Sequence, residues 1–292
     1  MINFRYHVVS IIGIFIALAV GVVLGAGPLQ SRIQAGVSTS SSTAATDPQV
    51  SAQADAEAAG LKALASSALS GSLAGAKVAL VVLPGASDDD VSALRSTLTD
   101  AGASVVGRVT LSDNWQSTSM NQYRTTLSTT LASHLASPAA KTASADGVVG
   151  YSIVQVLTST GAETDLLRQI LTDDSTPIMT IDEDPSGTAT SIVAVGPRAQ
   201  SVVGSGATPA AVTSNSDAWV GLAQAVGSTS DASTREAMVS QVRASGTIVT
   251  TVDSVGTTLA TVDTALALAS PATTARAFGV GNGAQSVIPP TK

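Results

Sequence analysis

The chain has 292 residues, a net charge of −7 and a mean hydropathy of +0.34. That acidity excludes a nucleic-acid binder, whose surface must be basic to neutralise phosphates, and it leaves no polybasic patch for anionic lipid. Cysteine is absent, which rules out disulfides, thiol catalysis and thiolate metal sites, and with only 3 Phe, 3 Tyr and 2 Trp the core must be built from small aliphatic side chains.

In chain order, the first element is an apolar run from Val8 to Leu29, with no charged residue between Arg5 and Arg32. One helical crossing of a bilayer needs about 20 apolar residues, and the run meets that length. Within it Gly13, Ala17, Gly21 and Gly25 recur every fourth residue. On a helix they form one stripe of small side chains, along which a second helix can approach closely. Cleavage after Gly25 competes with an uncleaved anchor, but the apolar core is longer than that of a signal peptide and Pro28 opposes processing after Gly27. Arg5 before the span places the N-terminus in the cytoplasm and the bulk of the chain outside. The organisation expected is a cytoplasmic tip and transmembrane anchor over 1–30, a Ser/Ala-rich stalk with a thin helix over 31–76, and an extracytoplasmic α/β domain over 77–292.

The stalk buries little. Leu61, Leu64 and Leu69 mark a helix in its second half, interrupted at Gly60 and without a sustained heptad. Val78–Leu83 is a continuous apolar run, the sign of a strand covered on both faces of a parallel sheet. After the turn at Pro84-Gly85-Ala86, Ser87 is the expected N-cap, with Asp90 completing an Asp variant of the capping box. Val91, Leu94, Leu98 and Ala101 give the helix an apolar face, Gly102 closes it, and Ser104–Leu111 is the next strand.

Tyr123, Leu127, Leu131 and Leu135 predict a helix over Asn121–Ala136, followed by a loop over 138–146. Gly147–Leu157 and Glu163–Leu171 read as helices, Pro177–Ile181 and Ser191–Val195 as strands, and Asp217–Val226 and Asp231–Ala244 as helices. Thr247–Val252 is a strand, and Val255, Leu259, Val262 and Leu266 give the following helix its face. The glycine-rich tail, Phe278 to Ala284, follows no predicted strand. Strands alternating with helices predict a Rossmann-like three-layer α/β domain with a mostly parallel sheet.

A nucleotide finds little here. The first turn offers Gly85 where a dinucleotide fingerprint needs G-x-G-x-x-G, and Asp88, Asp89 and Asp90 repel phosphate from the helix N-terminus. Those carboxylates instead oppose the helix dipole favourably. The tail is no P-loop, because no Lys-Ser or Lys-Thr follows its glycines. Its expected role is packing on the domain or on a partner, with Phe278, Gly279, Gly281 and Gly283 as the surface. Asp182, Glu183 and Asp184 have oxygen ligands for a hard cation, but such a run more often makes a solvated turn. His7 sits at the membrane edge and His134 on a helix, and nothing near His134 resembles a nucleophile elbow. No catalytic residue, cofactor site or metal site is recognisable.

Four segments together resemble the mycobacterial copper-transport protein B (MctB) family of envelope proteins: INFRYHVVSIIGIFIALAVGVVLG, VALVVLPGASDDDVSALRSTLTDAGASVVGRVTLSDNW, TIVTTVDSVGTTLATV and FGVGNGAQSVIPP. The resemblance implies copper efflux or copper homeostasis, with the copper ion as transported cargo, and an outer-envelope location. A SteB-like branch of the family implies instead a scaffold for cell separation, acting through the cytoplasmic partner SteA. Relatives carry a charged coiled coil where this chain has its Ser/Ala-rich stalk. The residues themselves favour an interaction module, a homo-oligomer or a complex with a membrane or division protein along the Gly13–Gly25 stripe. Cu(I) seeks sulfur and imidazole, and Met1, Met120, Met179 and Met238 are scattered.

Overall fold

Strand β1 (Lys77–Val82) lies inside a four-stranded sheet of order β3-β2-β1-β4, formed with β2 (Ser104–Leu111), β3 (Met179–Glu183) and β4 (Ser191–Val195). β1 pairs in parallel with both β2 and β4, and only β3 runs antiparallel, along the outer edge of β2. A second, two-stranded parallel sheet joins β5 (Thr250–Val252) to β6 (Arg276–Phe278). The computed structural model describes residues 48–198, 216–227, 239–270, 274–281 and 283–290. The apolar run Val8–Leu29, its stripe of small residues and the stalk up to residue 47 lie outside them. The chain divides into two units, 1–53 and 54–292. Of the first, the described part is the opening of helix α1 (Pro48–Leu69).

The mostly parallel α/β sheet expected from the sequence is present, and side-chain alternation explains its two faces. Val78, Leu80 and Val82 of β1 and Val193 and Val195 of β4 enter one apolar cluster. Ala79, Val81 and Leu83, with Ile192 and Ala194, enter another. Successive strand residues point to opposite faces, so a run apolar at every position requires cover on both. The first cluster is covered by Ala65 and Leu69 of α1, by Val91, Leu94 and Leu98 of α2 (Asp88–Asp100), and by a later helix introduced below. The second takes Trp115 of the short α3 (Asp113–Gln116), Leu131 of α4 (Asn121–Leu131), and much of α5 (Ala145–Thr158) and α6 (Ala162–Leu171). Helix α7 (Ser216–Gly227) and Val242 of α8 (Val239–Ala244) complete that layer. The first half of the helix predicted over 231–244 lies outside the described residues. Helix α9 (Thr258–Leu268) returns to the first face with Val262 and Ala265.

Local chemistry accounts for the best-read unit. Helix α2 ends as expected at Gly102, whose φ of +97° is open to glycine. The Ala103 amide donates to Leu98 O at 3.0 Å and the Gly102 amide to Thr99 O at 2.9 Å, the two bonds of a Schellman motif. Its start differs from the expected capping box. Ser87 has N-cap geometry, but its side chain makes no cap bond. Asp90 turns away instead, to a tertiary partner described below.

Elsewhere the helix ends and faces shift. The predicted loop over 138–146 contains a 3-10 turn, Pro138–Thr142, and α5 already begins at Ala145, with Ser144 Oγ accepting from the Gly147 amide at 3.1 Å. All residues from Gly147 to Leu157 are buried, so α5 is a central helix covered on every side. Gly150 makes that possible: a Cβ there would lie 2.7 Å from Gly221 O on α7, and one on Gly221 would lie 2.7 Å from the Asp146 backbone. β3 starts at Met179 and carries Asp182 and Glu183 within the strand, where the sequence predicted an end. On α9 only Val262 of the predicted face is fully buried. Val255 precedes the helix, and the small Ala260, Ala265 and Ala267 do the inner packing.

Candidate functional site

A groove of about 250 Å³ runs along α2 on one face of the four-stranded sheet, the face that α1, α2 and α9 cover. Its floor is Ala194 and Val195 of β4 with Val252 of β5, and its walls are α1, α2 and α9. At its mouth Asp90, with 8% of its side chain exposed, is held by Arg198 through two bonds, Nε to Oδ2 at 2.8 Å and Nη2 to Oδ1 at 2.7 Å. That bond and the neighbouring carboxylates raise the pKa of the guanidinium further above its ordinary value. Arg198 also crosses Gly256, where a Cβ would come 2.4 Å from its Nε. The acidic first turn of α2 thus carries a latch, a buried carboxylate under an exposed guanidinium, that its charge pattern did not disclose.

The glycine tail has a structural partner in Asp253. It follows strand β6, contrary to the sequence reading, and folds back so that the Gly279 amide donates to Ser286 O at 3.1 Å. Asp253 Oδ1 accepts from the Val280 amide at 2.7 Å and Ser254 Oγ at 2.7 Å, and Oδ2 from the Gly281 amide at 3.0 Å and Arg243 Nη2 at 3.3 Å. Burial pushes this carboxyl up, but the hydroxyl, the two amides and the guanidinium outweigh it and hold the group below the usual carboxylate range. The glycines are there for space: a Cβ on Gly279, whose φ is +121°, would lie 2.0 Å from Asp253 Oδ1. Ser254, beside the carboxylate, has φ of 69°, the single positive value at a non-glycine among the described residues.

The tail residues expected at a partner surface divide. Phe278 is 3% exposed and packs with Val252, Ala260 and Ala267, whereas Val280, Val287 and Ile288 face solvent. Gly279 and Gly281 enclose Asp253, and Gly283 lies beside Arg243.

The acidic run is neither a metal cage nor a bare turn. Arg95 binds Glu183, Arg108 reaches Asp182 at 3.4 Å and Asp88 at 3.1 Å, and Arg168 reaches Asp184 at 3.1 Å. His134 lies in a 3-10 turn, with Nδ1 2.5 Å from Glu163 Oε2. Arg124, which no pattern in the sequence singles out, is buried and ties α4 to its surroundings. Its Nε donates to Asp146 Oδ1 at 2.6 Å, and its Nη1 to the carbonyls of Asn114 and Ser117 at 2.9 and 2.7 Å. A lone arginine among Thr and Ser leaves no periodic signal. Among the described residues, no group of three or more His, Cys, Asp or Glu is placed to hold a metal ion, and no helix is long and apolar enough to cross a membrane.

These elements define a three-layer α/β domain with a groove among the helices of one face and a C-terminal strap locked by one carboxylate. A family model described as "Copper transport outer membrane protein, MctB" matches residues 1–289, and the chain belongs to that family. A comparison with the curated proteins finds no match.

Proposed function

We propose that this protein acts in copper efflux or copper homeostasis as a non-enzymatic envelope protein anchored by one membrane span, with the copper ion as cargo. The family match over residues 1–289 carries the reading, since it takes in the apolar N-terminal run, the α/β domain and the tail together. The proposed topology keeps the N-terminus in the cytoplasm, residues 1–30 as tip and anchor, 31–76 as stalk and 77–292 outside. One helix per chain cannot enclose a channel, so the Gly13, Ala17, Gly21 and Gly25 stripe is the proposed contact between copies. Deleting the gene is expected to raise cellular copper, read by elemental analysis, and to lower growth at added copper. Unchanged copper content in the deletion strain would overturn the reading.

A second reading is a scaffold for cell separation or envelope assembly. The exposed aliphatic edge of the tail favours it, with Val280 73%, Val287 50% and Ile288 44% exposed. In this reading Val280, Val287 and Ile288 of the tail meet a partner, and the membrane stripe contacts a membrane or division protein. A pull-down on the whole protein should then retrieve such a partner, and Gly21→Leu should weaken its capture. Retrieval of none, together with normal division in the Gly21→Leu strain, counts against it.

A further inference from the structure

We infer that the groove between α1, α2 and α9 is a binding site for the aliphatic chain of an uncharged lipid. Its volume of about 250 Å³ exceeds that of the roughly 150 Å³ apolar cavity known to accept a benzene ring. Five of the seven hydroxyls that line it are already committed. The hydroxyls of Ser66, Thr97, Thr257, Thr261 and Thr264 donate to the carbonyls of Ala63, Ala93, Ser254, Thr258 and Ala260 at 2.6 to 3.1 Å. A ligand therefore meets their carbon atoms and the side chains of Leu69, Leu94, Val195 and Val255. A mainly apolar lining with most of its hydroxyls satisfied selects an apolar ligand, because a polar one would lose its water and gain few partners.

The charges around the groove decide against an ionic occupant. An anion at the α2 N-terminus meets Asp88, Asp89 and Asp90, and the α9 N-terminus is capped internally by Thr257 Oγ1, which accepts from the Ala260 amide at 3.2 Å. A cation finds both oxygens of Asp90 bonded to Arg198. Lys62 on α1 and Asp100 on α2 are exposed on different walls, so the lining charges together with Arg198 balance. Electrical neutrality and an apolar interior match a neutral alkyl chain, and this assignment stands apart from whether copper is transported.

The test uses the full chain in lipid nanodiscs and a neutral long-chain alkanol bearing a diazirine, with labelled peptides mapped by mass spectrometry. Labelling is expected on the peptides carrying Ala93–Thr97 and Val255–Thr264, and it should be lost when excess decanol or neutral diacylglycerol competes. Ala93→Phe, at an exposed position on the α2 wall, should abolish that labelling while the melting temperature holds. Unlabelled groove peptides in the wild-type chain, labelling that neither competitor displaces, or undiminished labelling in a folded Ala93→Phe protein would each overturn the assignment.

Discussion

Asp253 is the residue on which the C-terminal strap depends. Gly279→Ala puts a Cβ 2.0 Å from its carboxylate at a φ of +121°, and Gly281→Ala puts one 2.9 Å away without a positive φ. The first should cost on the order of 2–3 kcal/mol and release the tail to protease, the second distinctly less. Limited proteolysis and denaturant melts of the two variants check the ranking. The depressed pKa of Asp253 also gives stability a pH dependence. A folded-state value below the unfolded one, about 3.9, stabilises above that value, and the contribution is lost as pH falls through the folded value. Asp253→Asn should lower stability at neutral pH by roughly 1.5–3 kcal/mol and flatten the acid side of the stability profile.

At the scale of elements, glycines with the same chemistry have opposite consequences. Gly60 lies inside α1 with nothing within 4 Å of a built Cβ, so Gly60→Ala should stabilise by about 1 kcal/mol through helix propensity alone. Gly150 lies inside α5, where a Cβ would meet Gly221 O at 2.7 Å and Leu222 Cα at 2.9 Å. There the same gain in propensity is outweighed by separation of α5 from α7, and Gly150→Ala should destabilise by on the order of 1–3 kcal/mol. Thermal melts of the pair give the sign directly. The tryptophans report on the same layer: Trp115 and Trp219 have ring centroids 5.7 Å apart, and the Trp219 indole donates to Gln116 Oε1 at 3.1 Å. Gly150→Ala should therefore shift the tryptophan emission, while Gly60→Ala leaves it unchanged.

For the molecule as a whole, the proposed topology places the α/β domain outside the cytoplasm. An uncleaved Val8–Leu29 span with cytoplasmic Arg5 predicts that the full chain stays with membranes after alkaline carbonate washing. It also predicts that added protease reaches the α/β domain only from the extracytoplasmic side. Release by carbonate, or digestion from the cytoplasmic side of inverted vesicles, would reverse the proposed topology. The groove is independent of that outcome, since its lining comes from α1, α2, α9, β4 and β5 within the 54–292 unit.

Much of the architecture was determined by the sequence alone, and the reason is periodicity. Val78–Leu83, the face Val91–Leu94–Leu98–Ala101, the stop at Gly102, and the strands Ser104–Leu111 and Ser191–Val195 all follow from local spacing and backbone preference. Those signals survive without tertiary context. Tertiary structure alone decided the partners of isolated charges and the use of isolated glycines. Arg198 latches Asp90 from 108 residues away, Arg124 is buried among carbonyls, and Asp253 collects two amides from a tail 27 and 28 residues downstream. The acidic run from Asp182 reads as a turn until β2, α2 and α6 bring Arg108, Arg95 and Arg168 to it. A hydrogen bond across such distances leaves no period in the chain, and a glycine in sequence does not say whether it serves a turn, a helix contact or a carboxylate. The groove belongs to the same class, because a concave surface arises from three helices that fail to close over one face of the sheet.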